Sequence, residues 1–81
     1  MTARVTVLYF AQLRDWRGLA REELDTDSTT LGALYEELAA RHGFGLPRAR
    51  VRVAQNDVLT QWDESVSAGA VIVFLPPVSG G

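Results

Sequence analysis

The residues best suited to chemistry stand at the end of the chain. An apolar run, Val71 to Leu75, stops at Pro76-Pro77 and is followed by Val78, Ser79, Gly80 and Gly81. Two successive prolines lack backbone donors and hold φ near one value, so neither a helix nor a central strand continues through them. Glycine has no Cβ, so Gly80-Gly81 can thread a slot too narrow for other residues. A strand, a stiff spacer and a bare diglycine together form a device for presenting a carboxylate, with Gly81 as the reactive residue. A diglycine can also be an accident of composition. Its placement directly after the Pro-Pro spacer, with Val78 between and no ragged polar extension, favours function.

Other candidates are weaker. His42 is the sole histidine, and no cysteine or second histidine stands at ligand spacing, so no metal site is expected. Its place in a last helical turn suggests a charge interaction with the helix end. Asp63 and Glu64 are adjacent and point apart, which suits a loop cap better than a catalytic pair. Asp15, with Arg14 and Arg17, is expected to be solvent-exposed. Gly43-Phe-Gly45 lacks the lysine of a phosphate loop and reads as a helix stop. Without cysteine or lysine the chain supplies no thiol nucleophile, Schiff base or side-chain amine.

Composition narrows the partners. The formal net charge of −2 argues against nucleic acid, which requires a clustered basic surface. No apolar run is long enough to span a bilayer and no signal peptide is visible, so a cytoplasmic protein is expected. Eighty-one residues suit one small domain with a thin core.

The elements that must position the tail follow from periodicity. Arg4–Phe10 is β-branched and aromatic on both faces, which predicts a central strand buried on both sides or nearly so. Ala11–Arg17, closed by Gly18, predicts a short helix, and Arg21–Asp25 an exposed edge strand pairing antiparallel with the first. Thr30 is the expected cap of a helix from Leu31 to about His42, ended by Gly43. Leu31, Leu34, Tyr35, Leu38 and Ala39 form its apolar stripe. Arg48–Ala54 alternates strictly, predicting a strand with Val51 and Val53 on one face and Arg48, Arg50 and Arg52 on the other. Those arginines suit a solvated face, or a docking patch for an acidic partner. Asn56-Asp57 predicts a turn into the short segment Val58-Leu59. The first and last strands are expected side by side, parallel and central. The predicted class is α+β: a β-grasp, or ubiquitin-like, fold with a small mixed sheet and one main crossover helix on one face. Residues 1–75 would form the body and 76–81 a flexible tail. Trp16, Trp62, Phe10, Phe74 and Leu75 could serve core or interface.

Phe74-Leu-Pro-Pro-Val-Ser-Gly-Gly81, together with Val7-Leu-Tyr-Phe-Ala-Gln-Leu-Arg14 and the following Gly18, resembles the family of molybdopterin synthase small subunits, which are ubiquitin-like sulfur carriers. The resemblance covers both ends well and the middle in general pattern. Ser67-Ala-Gly-Ala70 departs from the acidic turn usual in that family before the last strand.

The resemblance implies a mechanism. An ATP-dependent adenylyltransferase activates the Gly81 carboxylate, and a persulfide sulfur donor converts the acyl-adenylate to a thiocarboxylate. The tail, with Gly80, Ser79 and Val78 threading, enters the large synthase subunit, and Phe74, Leu75, Pro76 and Pro77 meet that partner. Sulfur passes to cyclic pyranopterin monophosphate (precursor Z), and two deliveries build the dithiolene of molybdopterin. No cofactor is bound permanently, the catalytic side chains belong to the large subunit, and the assembly is a heterotetramer. Two alternatives stay open: a sulfur carrier for thiamine thiazole synthesis, and a ubiquitin-like modifier conjugated to target lysines.

Overall fold

Both α-helices stop at a glycine, and the longer one also has a side-chain cap at its start. In the computed structural model, which describes residues 2–77, α1 spans Ala11–Arg17 and ends at Gly18 in the left-handed region, whose N–H donates to the Arg14 carbonyl. The main helix, α2, spans Leu31–His42. The Thr30 hydroxyl accepts from the Ala33 N–H at 3.1 Å, satisfying one of the donors orphaned at a helix start. At the other end Gly43 adopts φ 72°, and the N–H groups of Gly43 and Phe44 both donate to the Ala39 carbonyl. This closure turns Phe44 back onto the core, where its ring meets Tyr9 and Tyr35 at centroid distances of 5.9 Å.

The strands are β1 (Ala3–Tyr9), β2 (Arg21–Thr26), β3 (Arg52–Gln55), β4 (Val58–Thr60) and β5 (Val71–Leu75). They form one mixed sheet in the order β2-β1-β5-β3-β4. As expected, β1 and β5 are neighbours and parallel, with Val7 beside Ile72 and Tyr9 beside Phe74. The turn between β3 and β4 puts Asn56 and Asp57 at φ 53° and 70°, the paired positive values of a tight hairpin. Asn56 also fixes the start of β5: its side-chain oxygen accepts from the Val71 N–H, and its own N–H donates to the Val71 carbonyl.

The helix packs on one face of the sheet only. Leu31, Leu34, Tyr35 and Leu38 of α2 are fully buried, against Val5, Val7, Tyr9, Val53, Ile72 and Phe74 of the strands. Nothing covers the opposite face among the described residues, which corrects the reading of β1. Its inward residues are buried, whereas Thr6 and Leu8 are only half-buried, because there is no second layer to receive them.

A second correction concerns Arg48–Ala54. Residues Arg48–Arg50 form a 3₁₀ turn after Pro47, and the strand begins at Arg52. Val51 and Val53 are both buried as the alternation implied. The arginines, however, do not share a strand face. Arg48 turns toward α2: its guanidinium lies over Gly32, where a Cβ would collide with it, and it reaches Glu36 at 3.8 Å. Gly32 therefore leaves room for that side chain and for the Trp62 carbonyl, which accepts from the Gly32 N–H.

Candidate functional site

The site is the place where the chain leaves the sheet. Strand β5 alternates, so Ile72 and Phe74 enter the core while Val71, Val73 and Leu75 face outward. Phe74 is fully buried, with its ring 5.2 Å from Tyr35, 6.0 Å from Trp62 and 6.3 Å from Tyr9. It anchors the end of β5 and does not belong to the partner-facing surface expected of it. Leu75, Pro76 and Pro77 are half-buried. They share a shallow depression with Ala49, Arg50, Val51 and Arg52. Val78, Ser79, Gly80 and Gly81, the residues expected to thread and react, lie outside the described residues.

The register of the sheet builds an apolar row on the open face. Leu8 is level with Val73, Val73 with Ala54, and Ala54 with Leu59. These four residues cross four adjacent strands, and Leu59 at the edge is 57% exposed. One step toward the chain end, Arg52 is level with Leu75. Phe10, which follows β1 at the same end of the sheet, is 45% exposed. The root of the tail thus emerges beside an apolar surface bordered by arginine and interrupted at Ala54, which is buried. Leu59 and Leu8 were missed as surface candidates. The signal lay in the hairpin register, which needs the Asn56-Asp57 turn to be counted as two residues.

The remaining candidates have structural roles. Arg17 is not solvent-exposed as expected: it makes two hydrogen bonds of 2.8 Å to Glu22, whose carboxylate also accepts from the Tyr9 hydroxyl at 2.6 Å. The Arg17 guanidinium holds the Glu22 carboxyl below its usual range, while burial and then the Glu22 carboxylate raise the Tyr9 hydroxyl. This trio ties α1 to β2 beneath the sheet end. His42 has its pKa lowered, first by burial and then by the Arg17 charge, so it is a poor helix-end cation. Glu64 accepts from the Thr60 hydroxyl at 3.0 Å, in keeping with a loop cap. No cluster of three potential metal ligands occurs among the described residues, and none of their helices is long and apolar enough to cross a membrane.

Comparison with known proteins gives the surface a context. The ThiS family profile matches residues 7–81. The molybdopterin synthase sulfur carrier subunit of Escherichia coli is 34% identical over 95% of this chain and 99% of its own length. Among solved structures, SAMP1 from Haloferax volcanii superposes with a TM-score of 0.79 at 26% identity, covering 98% of this chain and all of that one. Subunit 1 or 2 of molybdopterin-converting factor from Helicobacter pylori, in a complex of the two, superposes with a TM-score of 0.63 at 26% identity, covering 96% of this chain and 99% of that chain. The fold is the ubiquitin-like β-grasp expected from the order of elements. With the profile spanning nearly all of its length and a relative this similar end to end, the chain belongs to the ThiS family and is kin to the sulfur carrier subunits of molybdopterin synthase.

Proposed function

We propose that this chain is the sulfur carrier of a molybdopterin synthase, and that Gly81 carries the sulfur as a C-terminal thiocarboxylate. The observation that carries this reading is the end-to-end likeness to a sulfur carrier subunit in a chain that carries Pro-Pro-Val-Ser-Gly-Gly at residues 76–81. A carboxylate is a poor electrophile. Adenylation by a partner enzyme, in which a carboxylate oxygen attacks ATP and displaces pyrophosphate, turns that oxygen into part of an AMP leaving group. A persulfide donor then attacks the acyl carbon and AMP departs; a thiol cleaves the resulting acyl disulfide by exchange, releasing the thiocarboxylate and leaving a disulfide on the donor. The thiocarboxylate sulfur is ionised at neutral pH and polarisable, which suits attack on a pterin precursor. Glycine at positions 80 and 81 lets the acyl carbon approach two different active sites closely. Pro76-Pro77 restricts the chain at the root of the tail, so less entropy is lost when it is inserted.

The large synthase subunit would seat on the row from Leu8 to Leu59, with Leu75 and Val78 closing the contact at the tail. An apolar face lying beside the reactive segment holds the partner without obstructing it. This chain contributes the carried sulfur and the docking surface. General acid, general base and precursor-binding groups belong to the large subunit. The test is reconstitution from thiocarboxylated carrier, purified large subunit and cyclic pyranopterin monophosphate. Dithiolene formation that disappears on deleting Gly81, with the fold retained by circular dichroism, is the expected result. Dithiolene formation undiminished by that deletion overturns the reading.

A second reading is favoured by the likeness to SAMP1, which solved structures name a small archaeal modifier protein. Conjugation would use the same activated Gly81, with a target lysine amine attacking instead of a persulfide. Isopeptide-linked Gly81 on other proteins would establish it.

A further inference from the structure

The eight arginines divide by surroundings. Arg4, Arg17, Arg21, Arg41 and Arg48 each lie within ion-pair distance of a carboxylate. Among the described residues Arg14, Arg50 and Arg52 have no such partner, and two of these three stand together. Arg52 is level with Leu75, the last residue of β5. Because β3 and β5 run antiparallel, the turn preceding β3 brings Arg50 alongside the prolines, and both arginines line one depression with Leu75, Pro76 and Pro77. Arg48, only two residues before Arg50, shows the contrast: its side chain fills the notch at Gly32 and meets Glu36. The tail therefore leaves the fold beside two exposed guanidinium groups, in a chain whose formal net charge is −2.

We infer that Arg50 and Arg52 dock on acidic side chains beside the tail-accepting opening of the activating adenylyltransferase, and set the rate at which the carrier is captured for activation. The inference rests on the sulfur-carrier reading. Two features select this partner over the large subunit. The apolar row already supplies the area for a lasting complex, to which exposed charges add little. Activation is instead a brief encounter, because a carrier that stayed bound could not deliver its sulfur. Brief encounters are limited by association, and complementary charge accelerates association more than it tightens a complex. The same pair also offsets a repulsion. A carboxylate-tipped, net-negative chain must approach a bound nucleoside triphosphate, and a positive collar at the tail root turns the correct end toward the opening. Nucleic acid fits this surface poorly, since two arginines neutralise too few phosphates for useful affinity.

The experiment follows pyrophosphate release from ATP by the adenylyltransferase of the same organism, with the full-length carrier as varied substrate. Reversing both charges, Arg50→Glu with Arg52→Glu, is expected to lower kcat/KM by about tenfold or more at low salt, with kcat nearly unchanged. Raising the salt toward about 1 M, where the screening length falls to ~3 Å, should close the gap between variant and parent. Arg50→Lys with Arg52→Lys should keep most of the activity, since charge and not a planar fork is required. Both side chains are exposed, so thermal unfolding should not move. Equal kcat/KM for the charge-reversed and parent carriers at low salt would overturn the inference while leaving the carrier reading in place. So would a gain in activity on reversal, which would mean that the arginines hold the chain's own carboxylate. If the parent carrier releases no pyrophosphate, the carrier reading fails and this inference falls with it.

Discussion

The two faces of β5 are made of the same kinds of residue and have opposite surroundings. Ile72 and Phe74 point at α2 and are fully buried, while Val71, Val73 and Leu75 point away and remain partly open. Composition does not separate them; the pleat and the placement of the helix do. In a chain this short only ~60–65% of the unfolded surface can be buried, so a spare apolar face is costly unless something covers it. The inner face holds the fold together, and the outer face is the one proposed above to receive a partner. One strand thus anchors the tail in the core and presents the surface beside it.

Substitutions can separate the two roles. The largest expected effect on stability is from Phe74→Ala, which removes a fully buried ring surrounded by Tyr35, Trp62 and Tyr9 and should cost about 3–5 kcal/mol in denaturant unfolding. An effect below ~1 kcal/mol would show that the inner face is not the anchor described. Val73→Asp tests the outer face. It should leave stability within about 1 kcal/mol yet weaken binding of the large subunit by about tenfold or more in calorimetry. Loss of folding with Val73→Asp, or unchanged affinity, would break the division between faces.

The Tyr9–Glu22–Arg17 trio gives smaller and pH-dependent effects. Glu22 has its folded pKa depressed by Arg17, so the unfolded chain binds its proton more readily than the folded chain. Its stabilising contribution is therefore complete above the ordinary glutamate value of 4.5 and is lost as pH falls through the lower folded value. His42 acts in the same direction at a higher pH, since its depressed folded value makes the fold less stable as pH drops below its ordinary 6.5. Denaturant midpoints measured from pH 7 downward should fall for the parent chain, and the decline at the acid end should flatten for Glu22→Gln. Smallest of all, Tyr9→Phe removes one hydrogen bond of 2.6 Å to Glu22 and should cost about 1 kcal/mol, without altering affinity for the large subunit.

What was legible beforehand follows how local each signal is. The bounds of α2, its Thr30 cap and its Gly43 stop were all read from sequence, because capping is decided within a turn of chain. The parallel pairing of β1 and β5 was also legible, from two strands more apolar than the rest flanking a crossover helix. Two features were not. An alternating Arg-Val pattern is satisfied equally by a strand and by a 3₁₀ turn entering one. The choice was made elsewhere in the chain, by Pro47 and by the notch at Gly32 that accepts Arg48. Likewise, Leu8 and Phe74 look alike in sequence. Only the absence, among the described residues, of a second layer over the outer face assigns one to the surface and the other to the core. Arg17 was misplaced for the same reason, since its partner Glu22 lies on the next strand and is brought to it by the fold.

The most direct test of the central claim is the intact mass of the carrier after incubation with ATP, its adenylyltransferase and a persulfide donor under reducing conditions. The account predicts a gain equal to the exchange of one oxygen for one sulfur, located at Gly81 by fragmentation and abolished when Gly81 is deleted. An unchanged mass, with an enzyme shown to be active on another carrier, would contradict it.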